Sequence, residues 1–131
     1  MSVETSPSKK VRPVNLNLLT IRFPITAIVS ILHRLSGVLL FMGVPLLIWA
    51  LDFSLSSPDN FAQLQMFLIH PVFKIILWVF LSALFYHLFA GIRHLVMDLG
   101  IGESLIAGKI TASLVILISI VFTIILGIYL W

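Results

Sequence analysis

The 131-residue chain contains no cysteine. That absence rules out a disulfide, a thiolate metal site and a thioether bond to a prosthetic group through a C-x-x-C-H run. Any metal or cofactor must therefore be held by imidazole or by noncovalent contacts. Charge is nearly as scarce: Asp, Glu, Lys and Arg make up 10% of the residues, against 60% hydrophobic. One small water-soluble core cannot cover that much apolar surface. The formal charge of +3 is too small, and too tied to the ends of apolar stretches, to point to nucleic acid. It reads instead as membrane topology.

What the chain has in abundance is long apolar runs. Residues 25–51, 72–92 and 109–131 each suffice to cross the roughly 30 Å hydrocarbon layer, which takes about 20 helical residues. The stretch from Ile110 to Trp131 carries no charge. These runs are unbroken rather than alternating, which excludes the short strands of a β-barrel. The expected fold class is an all-α membrane protein with transmembrane helices over 25–51, 72–95 and 109–131. Residues 1–24 read as a cytoplasmic tail and interfacial segment, 52–71 as an outer, periplasmic loop and 96–108 as a cytoplasmic loop. Met1 to Lys10 is polar and lacks the apolar core and cleavage site of a signal peptide, so the first helix is expected to stay in the mature protein.

Lys9, Lys10, Arg12 and Arg22 precede the first span, and Arg93 and Lys109 flank the second loop, against Lys74 alone on the other face. The positive-inside tendency then puts the N-terminus in the cytoplasm and, after three crossings, Trp131 on the far side. Pro24 suits a first helical turn, and Pro45 removes one backbone bond and is read as structural. Ser56-Ser57-Pro58-Asp59-Asn60 has an ordinary turn composition. His70, before Pro71, reads as a solvated interfacial residue. Trp49, Tyr129 and Trp131 read as an aromatic belt, with Trp78 a further candidate.

Two constellations carry chemistry. The first is Ser30-Ile-Leu-His33-Arg34-Leu-Ser36-Gly37, which sets an imidazole and a guanidinium inside the first apolar run. Ionisable groups at membrane depth are costly and generally line a polar cavity or touch a functional group. Helical spacing puts Ser30, His33, Arg34 and Gly37 on one patch, with Ser36 turned elsewhere to bond its own helix. The second is Tyr86-His87-Leu-Phe-Ala-Gly91-Ile-Arg93-His94-Leu-Val-Met-Asp98, where His87, Gly91, His94 and Asp98 form a continuous stripe. Gly91, one turn from His87, removes a side chain that would block a flat ligand. On spacing alone the stripe fits either a porphyrin whose iron is bound by His nitrogen or a hydrogen-bonded core histidine. Tyr86 reads as an interhelical contact. Asp98 reads as a partner of Arg93 or of another subunit, or as a solvated carboxylate.

Arg12-Pro13-Val-Asn-Leu, then the Ser30 to Gly37 run, then His87-x-x-x-Gly91-Ile-Arg93-His94-Leu-x-x-Asp98, in this order over three spans, resemble the cytochrome b556 subunit of bacterial succinate dehydrogenase. The resemblance covers nearly all of the chain beyond the first ten residues and shows no departure at the motif positions. It implies a membrane anchor that packs with a second small anchor subunit into a haem-containing helical bundle. That bundle would seat an iron-sulfur subunit and a flavoprotein subunit, which alone carry the iron-sulfur clusters and FAD. On the resemblance, His87 is an axial ligand of haem b, the other coming from the partner anchor, although spacing leaves His33 open as a second ligand. His33, Arg34 and His94 would surround the haem propionates, Gly91 would pack on the haem, and Ser30 and Arg34 would form part of the ubiquinone site. No dicarboxylate site is expected on this chain. Two alternatives remain at this point: the anchor of a quinol:fumarate reductase, and a non-redox helical module whose His and Arg line a proton or ion path.

Overall fold

The computed structural model describes residues 21–131. The Arg12-Pro13 motif, Lys9, Lys10 and most of the interfacial segment lie outside those residues. Four helices follow in order: α1 (Ile25–Ser56), α2 (Pro58–Ile69), α3 (Pro71–Asp98) and α4 (Leu105–Leu130). Among the described residues α1, α3 and α4 are long and apolar enough to cross a membrane, so the chain is an all-helical membrane protein. The 32 residues of α1 span roughly 48 Å at about 1.5 Å per residue, well beyond a 30 Å hydrocarbon layer.

Local chemistry sets the helix ends. Pro24 is the N-cap of α1, one residue before the first helical turn. The Ser104 hydroxyl accepts from Ala107 N at 3.2 Å and starts α4. Between α3 and α4, Gly100 and Gly102 have φ of 79° and 80°, a left-handed conformation that side chains disfavour. This lets Gly100 N close a 2.8 Å bond to Met97 O, ending α3. Pro45 sits inside α1 without terminating it.

The stretch read as an outer loop is mostly helical. α1 continues to Ser56, and the Ser56 to Asn60 run that looks like a turn starts a second helix. The Ser57 hydroxyl accepts from Asn60 N at 3.1 Å, Pro58 occupies the first turn and Asp59 meets the helix dipole there. These are helix-start signals as much as turn signals, and the twelve residues that follow decide between them. His70 is exposed, as expected, and its Nδ1 caps α3 by accepting from Val72 N at 3.3 Å.

Packing follows small residues. Val29, Ala90, Ala112 and Val115 form the buried core where α1, α3 and α4 meet, with Ile25, Tyr86, Phe89 and Ile116 around it. Without a hydrophobic drive in lipid, close approach of small side chains and interhelical hydrogen bonds hold such helices together. Polar contacts tie α3 to its neighbours along its length. Tyr86 OH donates to Val29 O at 2.8 Å, Trp78 Nε1 donates to Thr123 O at 2.9 Å and Lys74 Nζ donates to Leu130 O at 2.8 Å. Trp78 is thus turned into the α3–α4 contact, whereas Trp49, Tyr129 and Trp131 are exposed.

Arg93 is the other departure from expectation. Its side chain is 7% exposed and reaches α4, with Nε donating to Thr111 Oγ1 at 3.1 Å and an Nη to Gly108 O at 3.3 Å. Asp98, at the end of α3, is exposed and is not the group that Arg93 meets. A guanidinium buried against a carbonyl and a hydroxyl keeps its hydrogen bonds, so the fold uses Arg93 as a clasp between helices.

Candidate functional site: a histidine cluster between two helices

His33, Ser36 and Gly37 of α1 meet His87, Gly91 and His94 of α3, nearer the end where α1 begins and α3 stops. The His33 and His87 imidazoles stack with centroids 4.1 Å apart and planes 16° apart. His94 lies beyond, its centroid 5.2 Å from that of His33 and tilted by 47°. Each of the stacked rings rests on a glycine of the opposite helix. A Cβ at Gly37 would stand 3.0 Å from His87 Cε1, and one at Gly91 would stand 3.3 Å from His33 Nε2. Glycine at these two positions lets an imidazole occupy the space a side chain would take.

The gap over Gly91, which spacing suggests for a flat ligand, is therefore filled by His33 of the same chain. Two imidazoles that share one iron point nitrogens at it from opposite sides. A face-to-face stack does not, so His33 is not arranged as a second axial ligand beside His87.

Hydrogen bonds define the state of His87. Ser36 Oγ donates to His33 O at 2.9 Å, and His87 Nδ1 lies 3.0 Å from that same hydroxyl and 3.1 Å from His33 O. A carbonyl oxygen only accepts, and the hydroxyl proton is already directed at it. Nδ1 must then carry the ring proton, shared between Ser36 Oγ and His33 O. This leaves Nε2 as the bare nitrogen with its lone pair free for a metal. A ligating histidine generally has its other nitrogen held in this way, so the residues present fit haem iron bound at His87 Nε2. His33 Nε2 is buried and has no hydrogen-bond partner among the described residues.

Ser36 is the functional residue that sequence reasoning placed wrongly. It does bond its own helix, yet it is 8% exposed and faces His87. The available signal was its position three residues after His33, which puts it on the same face. Conversely, Arg34 does not join His33: it is exposed, while Ser30 is half-buried. The patch read as one surface thus divides, with His33, Ser36 and Gly37 facing α3 and Arg34 facing outward.

α4 packs on Phe85, Phe89 and Arg93 of α3, roughly half a turn around the helix from His87, Gly91 and His94. The histidine side of the α1–α3 pair is left uncovered by the described residues, with Val38, Phe41, Leu84, Leu88 and Leu95 exposed beside it.

These features define a class: a three-span helical membrane protein with a paired-imidazole cluster between two of its spans. The chain belongs to the succinate dehydrogenase/fumarate reductase transmembrane subunit family, whose model matches residues 8–126. It is 44% identical over 121 residues to the succinate dehydrogenase cytochrome b556 subunit of Coxiella burnetii, covering 92% of this chain and 97% of that one. The protein of that name from Rickettsia felis is 40% identical over 115 residues, 88% and 90% of the two chains. That from Paracoccus denitrificans is 37% identical over 117 residues, 82% and 90%. The chain is therefore a membrane subunit of an oxidoreductase complex, and the non-redox module loses its support.

Proposed function

We propose that this chain is the membrane anchor through which electrons from succinate reach ubiquinone, with His87 as an axial ligand of haem b. A second small anchor subunit supplies the other axial ligand and covers the open histidine side. An iron-sulfur subunit and a flavoprotein subunit, holding the clusters and FAD, sit at the cytoplasmic end. The direction from succinate to quinone, rather than the fumarate reductase reading, is favoured by the relatives' names, each a succinate dehydrogenase cytochrome subunit.

One observation carries the haem reading: His87 Nδ1 is committed to Ser36 Oγ at 3.0 Å and His33 O at 3.1 Å, which leaves Nε2 to bind iron. Bound there, haem b would supply a one-electron centre. The exposed Arg34 guanidinium offers a fork of donors to a propionate or to a quinone oxygen that gains charge. His33, through its unpartnered Nε2, and His94 add donors on the propionate side. Gly91 contributes a bare backbone on which His33 rests, and a haem edge at that point requires His33 to turn aside. The Ser30 hydroxyl hydrogen-bonds a quinone carbonyl, an interaction that strengthens as reduction adds charge.

The experiment is spectroscopic and kinetic. In the purified complex, His87→Leu should abolish or strongly weaken the b-type Soret and α bands. Ser30→Ala and Arg34→Leu should each lower quinone reductase activity by about 100-fold, the lower end for loss of one donor to a developing oxyanion, while reduction of a soluble dye by the catalytic head persists. A colourless wild-type complex of intact composition would refute the haem assignment.

A further inference from the structure

Ser36 enters that account only as one acceptor for His87 Nδ1, yet its position is built rather than incidental. It is 8% exposed, its proton is directed at His33 O and its lone pair at His87 Nδ1. The adjacent Gly37 brings α3 close enough for that contact, since His87 Cε1 lies 3.0 Å from where a Cβ would stand. The hydroxyl therefore joins two helices through the one ring nitrogen that iron does not use.

We infer that Ser36 is a positioning residue for His87, fixing its tautomer and ring orientation and setting the strength of Nε2 as a donor to haem iron. The inference rests on the reading of His87 as the iron ligand. A hydrogen bond from Nδ1–H to an acceptor pushes electron density into the ring and makes Nε2 a stronger donor. A stronger donor favours ferric over ferrous iron and lowers the midpoint potential. With the hydroxyl gone, His33 O remains as the single acceptor, the ring is free to rock over Gly37 and the donor weakens.

The test uses the whole membrane complex carrying Ser36→Ala, Ser36→Thr or His87→Leu, with two readouts: haem transfer to a soluble apoprotein acceptor, and the haem midpoint potential. S36A should assemble with haem, release it about tenfold faster, within the range for lost outer-shell partners, and show a raised potential. A threefold loss of ferric preference corresponds to about 28 mV for a one-electron couple. Ser36→Thr, which keeps the hydroxyl, should restore both values. Wild-type release and potential in S36A would overturn the inference while leaving His87 as ligand. Full haem content in His87→Leu would overturn the ligand reading itself, and the inference with it. Should S36A not assemble, Ser36→Cys keeps the volume with a much poorer acceptor. A raised potential there supports the inference, and an unchanged one overturns it.

Discussion

A methyl group at position 37 would meet His87 Cε1 at 3.0 Å, whereas one at position 91 would meet His33 Nε2 at 3.3 Å. The two substitutions are chemically identical, but the rings they press on are held differently. His87 is held by two contacts at Nδ1, while His33 Nε2 has no hydrogen-bond partner among the described residues to hold its ring. Gly37→Ala is therefore expected to lower haem b per complex severalfold, and Gly91→Ala to lower it less. The α-band absorbance normalised to flavin measures both, and an equal loss would contradict the assignment of His87 as the constrained ring.

Between helices, the same logic of close approach governs stability. A Cβ at Gly43 would overlap the Phe80 ring edge, so the α1–α3 contact away from the histidines depends on that glycine. Gly43→Ala should destabilise the helix pair by about 1–3 kcal/mol, the usual range for overpacking. Tyr86→Phe removes the bond to Val29 O and should cost about 0.6 kcal/mol, typical of an interhelical hydrogen bond in a membrane. Arg93→Leu leaves Thr111 Oγ1 still bonded to Gly108 O at 3.3 Å, so the loss is that of the charged donors, about 1.5–3 kcal/mol. Thermal unfolding of the detergent-solubilised complex ranks the three, and a Tyr86→Phe effect larger than that of Gly43→Ala would overturn this ordering.

For the molecule as a whole, topology is the quantity open to direct test, because the chain brings no cysteine of its own. Asp59, in the first turn of α2, and the exposed Glu103 between α3 and α4 sit in opposite loops. Asp59→Cys should react with a membrane-impermeant maleimide in intact cells. Glu103→Cys should react only after the membrane is opened, as a cytoplasmic N-terminus requires. The reverse pattern would overturn the proposed orientation. The uncovered histidine side, with Arg34, Leu88 and Leu95 exposed, is where cross-links to the proposed second anchor subunit should concentrate.

Amino-acid order alone determines that this chain is helical and membrane-spanning, because apolar runs of that length have no other stable form in a bilayer. It also singles out His33, His87, Gly91 and His94, since ionisable groups in such runs stand out against their surroundings. Tertiary packing alone decides which of them meet. Helical periodicity sorts residues onto faces of one helix but does not say which face an adjacent helix covers. Spacing turns Ser36 away from the patch and joins Arg34 to His33, whereas the approach of α3 at Gly37 brings Ser36 to His87 and leaves Arg34 exposed. Asp98, five residues along the same helix, is one partner the sequence offers Arg93, which instead reaches Gly108 and Thr111 of α4, 15 and 18 residues away in sequence. The state of His87 depends on atoms contributed by two helices, and no single stretch of sequence contains it.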